Sequence, residues 1–248
     1  MGLVETEALV LRTYNLSDAD KIVVSLTEKQ GLVRGVAKGA KRLKSKFGGS
    51  LEPFSIVNIT YFQKEEMELV SIRDIELRKS YFSDASKPEF LQKFSYLADL
   101  LTKFAPPHDP NERLYNMSRI CLETGAVELE SLDIIALYFE YWILKLGGYL
   151  PGWKHCSKCA KEFGNAETAD LQLDFNLTCA SCSAGRSVER IGPAERRVFN
   201  EAQNMPPGKF IVFVAKSRTE VTSVSGILKQ IISRVIDREF VGETSLTA

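Results

Sequence analysis

Cys156-Ser-Lys-Cys159 is followed, after 19 intervening residues, by Cys179-Ala-Ser-Cys182. This pair of C-x-x-C turns constrains the fold more than any other feature of the chain. Each turn directs two thiols at one point, and two turns complete a tetrahedral set of sulfurs, the donor set of a structural zinc module. With four sulfur ligands the metal has no open position, so one zinc held by Cys156, Cys159, Cys179 and Cys182 stabilises and does not catalyse. Free thiols or redox pairs are the competing readings. Five cysteines in all, four of them in these pairs, suit a reducing compartment better than a disulfide scaffold. His155 abuts the first cysteine and supports the ligands at most, while Cys121 falls on an apolar helix stripe as a small core side chain.

A chain of 248 residues is long for one domain, and its apolar spacing changes once. Up to Arg78 the pattern alternates, with Ile22, Val24 and Leu26 and then Val57, Ile59 and Tyr61 at every second position. The runs predicted as strands are about Glu5 to Arg12, Lys21 to Thr27, Leu32 to Lys38, Phe54 to Phe62 and Met67 to Arg73. Five short strands suit a small barrel, and an OB-type barrel is a frequent way to close them, although periodicity does not fix the topology. From Ala85 the spacing becomes helical. Phe90, Leu91, Phe94, Leu97, Leu101 and Phe104 share a stripe, with Ser86 predicted as cap and Pro88 in the first turn. A second helix carries Leu114, Met117 and Cys121. A third, about Leu132 to Leu146, is apolar around most of its circumference and stops at Gly147-Gly148. Pro193 opens another helix, Val221 to Val235 stripes the last one, and Phe210 to Val214 reads equally as strand or buried connector. The fold class is α+β: a five-stranded OB-type barrel over residues 1–82, then a helical domain over 83–248 carrying the cysteine module as an insertion at about 152–185.

The formal net charge is zero, but the charge is unevenly spread. Lys29, Arg34, Lys38, Lys41, Arg42, Lys44 and Lys46 follow one another with no acid until Glu52, interleaved with glycines that let the backbone track a phosphate chain. A solvated loop is the bland alternative. Placed on a barrel, Arg34, Lys38, Lys41, Arg42, Lys44 and Lys46 become the predicted phosphate contacts of a single strand, with Tyr14, Phe47, Tyr61 and Phe62 as candidate stacking or packing aromatics. Arg196-Arg197 reads as an exposed helix face, and His108 as a solvated loop residue.

The absences exclude function classes. There is no G-x-x-x-x-G-K-[ST] loop for ATP hydrolysis. With two histidines and no nucleophile–base pair, an enzyme is not expected. A zinc base deaminase needs an H-x-E segment, which neither His108 nor His155 begins. No secretory signal or membrane span is read from the sequence, so a cytoplasmic protein without membrane partners is expected.

Taken together, Glu7-Ala-Leu-Val-Leu-Arg12-Thr with Leu16-Ser-Asp-Ala-Asp20-Lys21, Gly35-Val-Ala-Lys38-Gly-Ala-Lys41-Arg42, Phe47-Gly-Gly-Ser-Leu-Glu52-Pro-Phe54, and Leu146-Gly-Gly-Tyr-Leu-Pro151 leading into Cys156-Ser-Lys-Cys159 resemble the RecO family of bacterial recombination and DNA-repair proteins, over nearly the whole chain. The resemblance implies an OB-fold domain and a helical domain with the zinc module, and a nucleoid-associated protein binding single- and double-stranded DNA. It implies ATP-independent strand annealing, and assistance to RecA loading together with RecR on DNA covered by single-strand-binding protein, whose C-terminal tail the helical domain recognises. It places Lys38, Lys41 and Arg42 on the family's basic segment. Some members lack the zinc cysteines, which implies a structural metal. The alternative from charge and cysteines alone is a zinc-ribbon factor acting on RNA or in transcription.

Overall fold

A computed structural model describes residues 2–63, 68–183, 185, 187, 189–217 and 221–244, with 238–244 as backbone only. The chain divides into two compact units, Met1–Leu132 and Asp133–Ala248.

In the first unit, β1 (Gly2–Asn15), β2 (Lys21–Thr27), β3 (Gly31–Ala37), β4 (Ile56–Gln63) and β5 (Leu69–Lys79) close a barrel in the order β1-β2-β3-β5-β4. The pairings are antiparallel except for β3 with β5, which is parallel. This is OB-fold connectivity. Met67, the predicted start of the fifth strand, lies outside the described residues. Alternation sends Ala8, Val10, Val23, Val33, Ala37, Val57 and Ile59 inward, with Phe47 and Leu51 of the β3–β4 connection completing the core. Each buried valine or isoleucine contributes on the order of 2 kcal/mol. Gly35, opposite Val70 at the parallel seam, lets the barrel close, because a Cβ there would lie 2.7 Å from the Ile72 side chain. Gly31 opens β3 at φ 60°, against the backbone of Pro106 and Asp109.

A bulge in β1 decides which residues face outward. The register shifts between Val10, opposite Ser25, and Arg12, opposite Val24. The extra residue reverses the alternation, so Thr13 pairs with the inward Val23 and Tyr14 with the outward Ile22.

The strands end at Lys79, and α1 (Phe82–Ala85), α2 (Pro88–Phe104) and α3 (Glu112–Val127) follow. The periodicity change predicted near residue 82 falls here, whereas the first compact unit continues to Leu132 because α2 and α3 pack on the barrel. Phe54 meets Phe90 and Phe94 at centroid distances of 6.2 Å. Arg12 pairs with Asp99, and the Tyr115 hydroxyl donates to Glu7 Oε1 at 2.8 Å. Ser86 does not cap α2. Lys87 holds that position without a side-chain bond, and Pro88, whose ring is preorganised for a first turn, starts the helix. Ser86 instead closes α1, its Oγ donating to the Ser83 carbonyl at 2.7 Å. Asn111 caps α3 by accepting from Leu114 N–H at 3.0 Å. His108 is half-buried, with Nδ1 3.1 Å from Gln63 Nε2, rather than free in solvent.

The second unit is built on α4 (Leu132–Leu146), which has the predicted limits. Gly148 follows at φ 77°, the left-handed stop that the Gly-Gly pair supplies. Short strands β6 (Ala169–Leu171), β7 (Leu177–Thr178) and β8 (Glu189–Ile191) form a sheet in the order β7-β6-β8 with α5 (Ala180–Ser183), a piece of the cysteine insertion that periodicity is too short to register. Helices α6 (Pro193–Ala202), α7 (Pro207–Ser217) and α8 (Val221–Thr244) complete the unit. The ambiguous Phe210 to Val214 run is therefore helical. Glu140 on α4 is fully buried, accepting from Ser225 Oγ at 2.7 Å with Lys229 Nζ at 3.9 Å. Among the described residues no helix is long and apolar enough to cross a membrane.

Candidate nucleic-acid interface and metal centre

The reversed alternation in β1 builds one half of the candidate interface. Tyr14 stands opposite Ile22, and Ile22 opposite Val36, so these side chains form one row across β1, β2 and β3 on the outside of the barrel. Tyr14 is 49% exposed, and Ile22 and Val36 are half-buried. Arg34, exposed on the same face of β3, pairs with Val24 in the neighbouring row. The other aromatics have other roles. Phe47 and Tyr61 are buried in the core, where burial pushes the Tyr61 phenol up to about 12. Phe62 is half-buried.

The basic loop leaves β3 beside this row. Lys38, Lys41, Arg42, Lys44 and Lys46 are all exposed. Two backbone N–H groups of the loop hold it to the β1–β2 turn: Gly39 N–H donates to Asp20 Oδ1 at 2.8 Å, and Lys41 N–H to the Ala19 carbonyl at 2.9 Å. Lys41 Nζ also donates to the Ser17 carbonyl at 3.2 Å. At the far end Lys46 Nζ donates to the Arg73 carbonyl of β5. The loop thus runs across one end of the barrel from the β1–β2 turn to β5. Of the predicted phosphate contacts, Lys41 and Lys46 also bond to the barrel, Arg34 and Lys38 adjoin the Tyr14 row along β3, and Arg42 and Lys44 are exposed on the loop.

The four cysteines converge as the spacing predicts, in the second unit. Their sulfurs lie within 4.8 Å of one another, and Cys159 Sγ is 3.8 Å from Cys179 Sγ. Metal–sulfur bonds of about 2.3 Å in a tetrahedron place sulfurs about 3.8 Å apart. The first turn closes through Ala160 N–H to the Cys156 carbonyl at 2.9 Å, with Ala160 in the left-handed region at φ 57°. The second closes through Cys182 N–H to the Cys179 carbonyl at 2.9 Å. Ser157 N–H to the Leu177 carbonyl at 2.8 Å and Lys158 Nζ to the Cys182 carbonyl at 3.0 Å tie the turns together. Burial opposes ionisation of Cys156, yet the backbone N–H groups of Cys159, Cys179 and Lys158 outweigh it and lower the thiol. Hydrogen bonds with Cys179 and Cys159 push the Cys182 thiol up, so the cluster shares its negative charge unevenly and a bound metal ion would have to displace the remaining protons. These four cysteines can bind a metal ion. Cys121 is remote in kind: burial pushes its thiol up, and its sulfur lies 3.8 Å from Met117 Sδ.

The predicted Arg196–Arg197 face is exposed at Arg197 only. Arg196 is 8% exposed, because its Nη2 donates to the carbonyls of Gly164 at 2.8 Å and Glu167 at 2.6 Å, joining α6 to the insertion.

A closed OB barrel bearing an exposed cationic loop, in a chain that also carries a helical unit with a four-cysteine cluster, defines a class of nucleic-acid-handling proteins. The comparisons narrow that class. Residues 1–81 match the family model "Recombination protein O N terminal" and residues 94–240 match "Recombination protein O C terminal". The chain is 28% identical to the DNA repair protein RecO of Koribacter versatilis, covering 98% of each chain. It is 27% identical to that of Geobacter metallireducens, covering 96% of each. With the RecO of Rhodopirellula baltica it shares 30% identity over 73% of this chain and 67% of the relative. The chain belongs to the RecO family of DNA repair proteins.

Proposed function

We propose that the protein binds single-stranded DNA without reading its sequence and anneals complementary strands with no nucleotide hydrolysed. It also binds double-stranded DNA, the product of annealing. In the cytoplasm, with RecR, it assists RecA in loading onto DNA covered by single-strand-binding protein, whose acidic C-terminal tail the helical unit recognises. It is a mediator and not an enzyme, and the metal at its cysteines is one structural zinc ion.

The observation that carries this reading is the Tyr14–Ile22–Val36 row adjoined by Arg34 and Lys38, with Arg42 and Lys44 exposed on the loop. An aromatic on an apolar strip stacks bases of any identity, and the cations take phosphates. Two strands whose phosphates are partly neutralised repel each other less, so pairing proceeds on base-pairing energy alone. Zinc is supported by the all-sulfur donor set and its spacing.

Tyr14→Ala separates the two contributions. A fluorescein-labelled oligothymidylate should bind the variant more weakly by about 1–3 kcal/mol, the loss of one stacked base, with the salt dependence of the parent retained. Full parental affinity in Tyr14→Ala would remove the strand face from the interface.

A further inference from the structure

We propose that a cleft between α6 and the segment around Phe163, in the second unit, is a further contact for the sugar–phosphate backbone of DNA, an inference that rests on the DNA-binding reading above. The cleft has a volume of about 510 Å³, and its polar lining is Lys154, Glu162, Asn165, Arg196, Arg197 and Asn200. Three cations against one acid leave it positive.

Arg196 is its fixed element. Nη2 is held by the Gly164 and Glu167 carbonyls, and the guanidinium carbon lies 5.1 Å from the Phe163 ring centroid. A guanidinium that is immobile and always protonated sets a fixed positive charge in the wall of the cleft, which favours an anion in front of it. Lys154 and Arg197 are exposed, and Arg197 lies 5.6 Å from the centroid of Phe213. They add charge to the same cleft from exposed positions.

The lining fits a phosphate of an extended strand better than a peptide carboxylate with its side chain. Trp153 and Phe163 are each 6% exposed, and Trp153 stacks on Phe199 at 4.3 Å. These aromatics therefore form closed walls and leave no open apolar socket. Asn165 and Asn200 supply amide donors of the kind that hold phosphate and sugar oxygens.

The test uses the full chain with Lys154→Glu and Arg197→Glu combined, which leaves Arg196 and the cysteines intact. Binding of a fluorescein-labelled oligothymidylate should weaken about ten-fold near about 0.1 M salt. The slope of log affinity against log salt should become shallower by about 1.4, or about 0.7 per lost contact. Lys154→Gln with Arg197→Gln, which removes charge without adding repulsion, should give the same change of slope. Parental affinity and slope in both double variants, with the parent binding DNA, overturn the cleft and leave the barrel interface standing. A parent that binds no single-stranded DNA overturns that reading and this one with it. Unchanged DNA binding together with lost binding of an acidic peptide assigns the cleft to a protein tail and overturns the proposal.

Discussion

Replacing Cys179 by Ser should strip the metal from the protein and cut the yield of folded chain, with Cys159→Ser acting in the same direction. The parent should carry about one zinc per chain, as a closed four-sulfur site holds a single ion. Binding at such sites contributes on the order of 10 kcal/mol, and that free energy is coupled to folding. Beside the ion, the insertion is ordered by buried Phe163, Leu171, Phe175 and Leu177 and by the two Arg196 bonds, a small core that leaves the ion a large share. Its strands are two or three residues long, and its two turns are joined by Cys179 N–H to Cys156 Sγ at 3.4 Å, by Ser157 N–H to the Leu177 carbonyl and by Lys158. Cys179 is buried and stands 3.8 Å from Cys159, so its loss opens the tetrahedron from inside. Metal analysis beside a thermal melt checks this, and a parent purified free of metal that melts as the zinc-loaded protein does would contradict a structural ion.

The second large effect is electrostatic. Charge reversal at Lys38, Arg42 and Lys44 together should weaken single-stranded DNA binding by two orders of magnitude or so at low salt. It should also reduce the salt slope by about 2, because each lost phosphate contact takes about 0.7 from it. The loss should be the same for all sequences, since these residues meet phosphates and not bases. Lys41 is left in place for a structural reason. Its N–H and Nζ bind the β1–β2 turn, so reversing it would disturb the loop as well as its charge. The three chosen residues are exposed, and the melting temperature should stay within a few degrees, the usual range for surface substitutions. Titrations at several salt concentrations decide it. Equal slopes for parent and variant would reduce the segment to a solvated loop.

The parts of this account legible in the sequence are those set by short, regular spacing. The cysteine pairs close on one point because ligand geometry is local, and α4 has its predicted limits because a nearly all-apolar run ends at two glycines. What escaped depends on tertiary detail. Tyr14 has the parity of Val10, and simple alternation would turn both inward. The bulge between Val10 and Arg12 reverses that, and nothing in the local sequence marks it. Phe47 stands in the basic loop, outside any alternating run, and only the closed barrel buries it, whereas Tyr61 keeps the inward parity of Val57 and Ile59. Ser86 satisfies the cap pattern, yet the short α1 ends there and takes its hydroxyl. Arg196 reads as surface because its neighbour is. It is buried by two carbonyls some thirty residues upstream, a pairing that helical periodicity does not register. Spacing does put Arg196 three residues before Phe199 and six before Ala202, on the buried face of α6, but it does not name the carbonyls that receive it.

Annealing of complementary oligonucleotides in the absence of any nucleotide tests the central claim most directly. The purified protein should accelerate pairing well above the spontaneous rate, with the gain falling as salt rises, because partial neutralisation of phosphates is its source. The charge-reversed loop variant should lose most of that gain. A protein that binds single strands tightly yet leaves the pairing rate unchanged, or one that accelerates pairing only when ATP is present, would contradict the account.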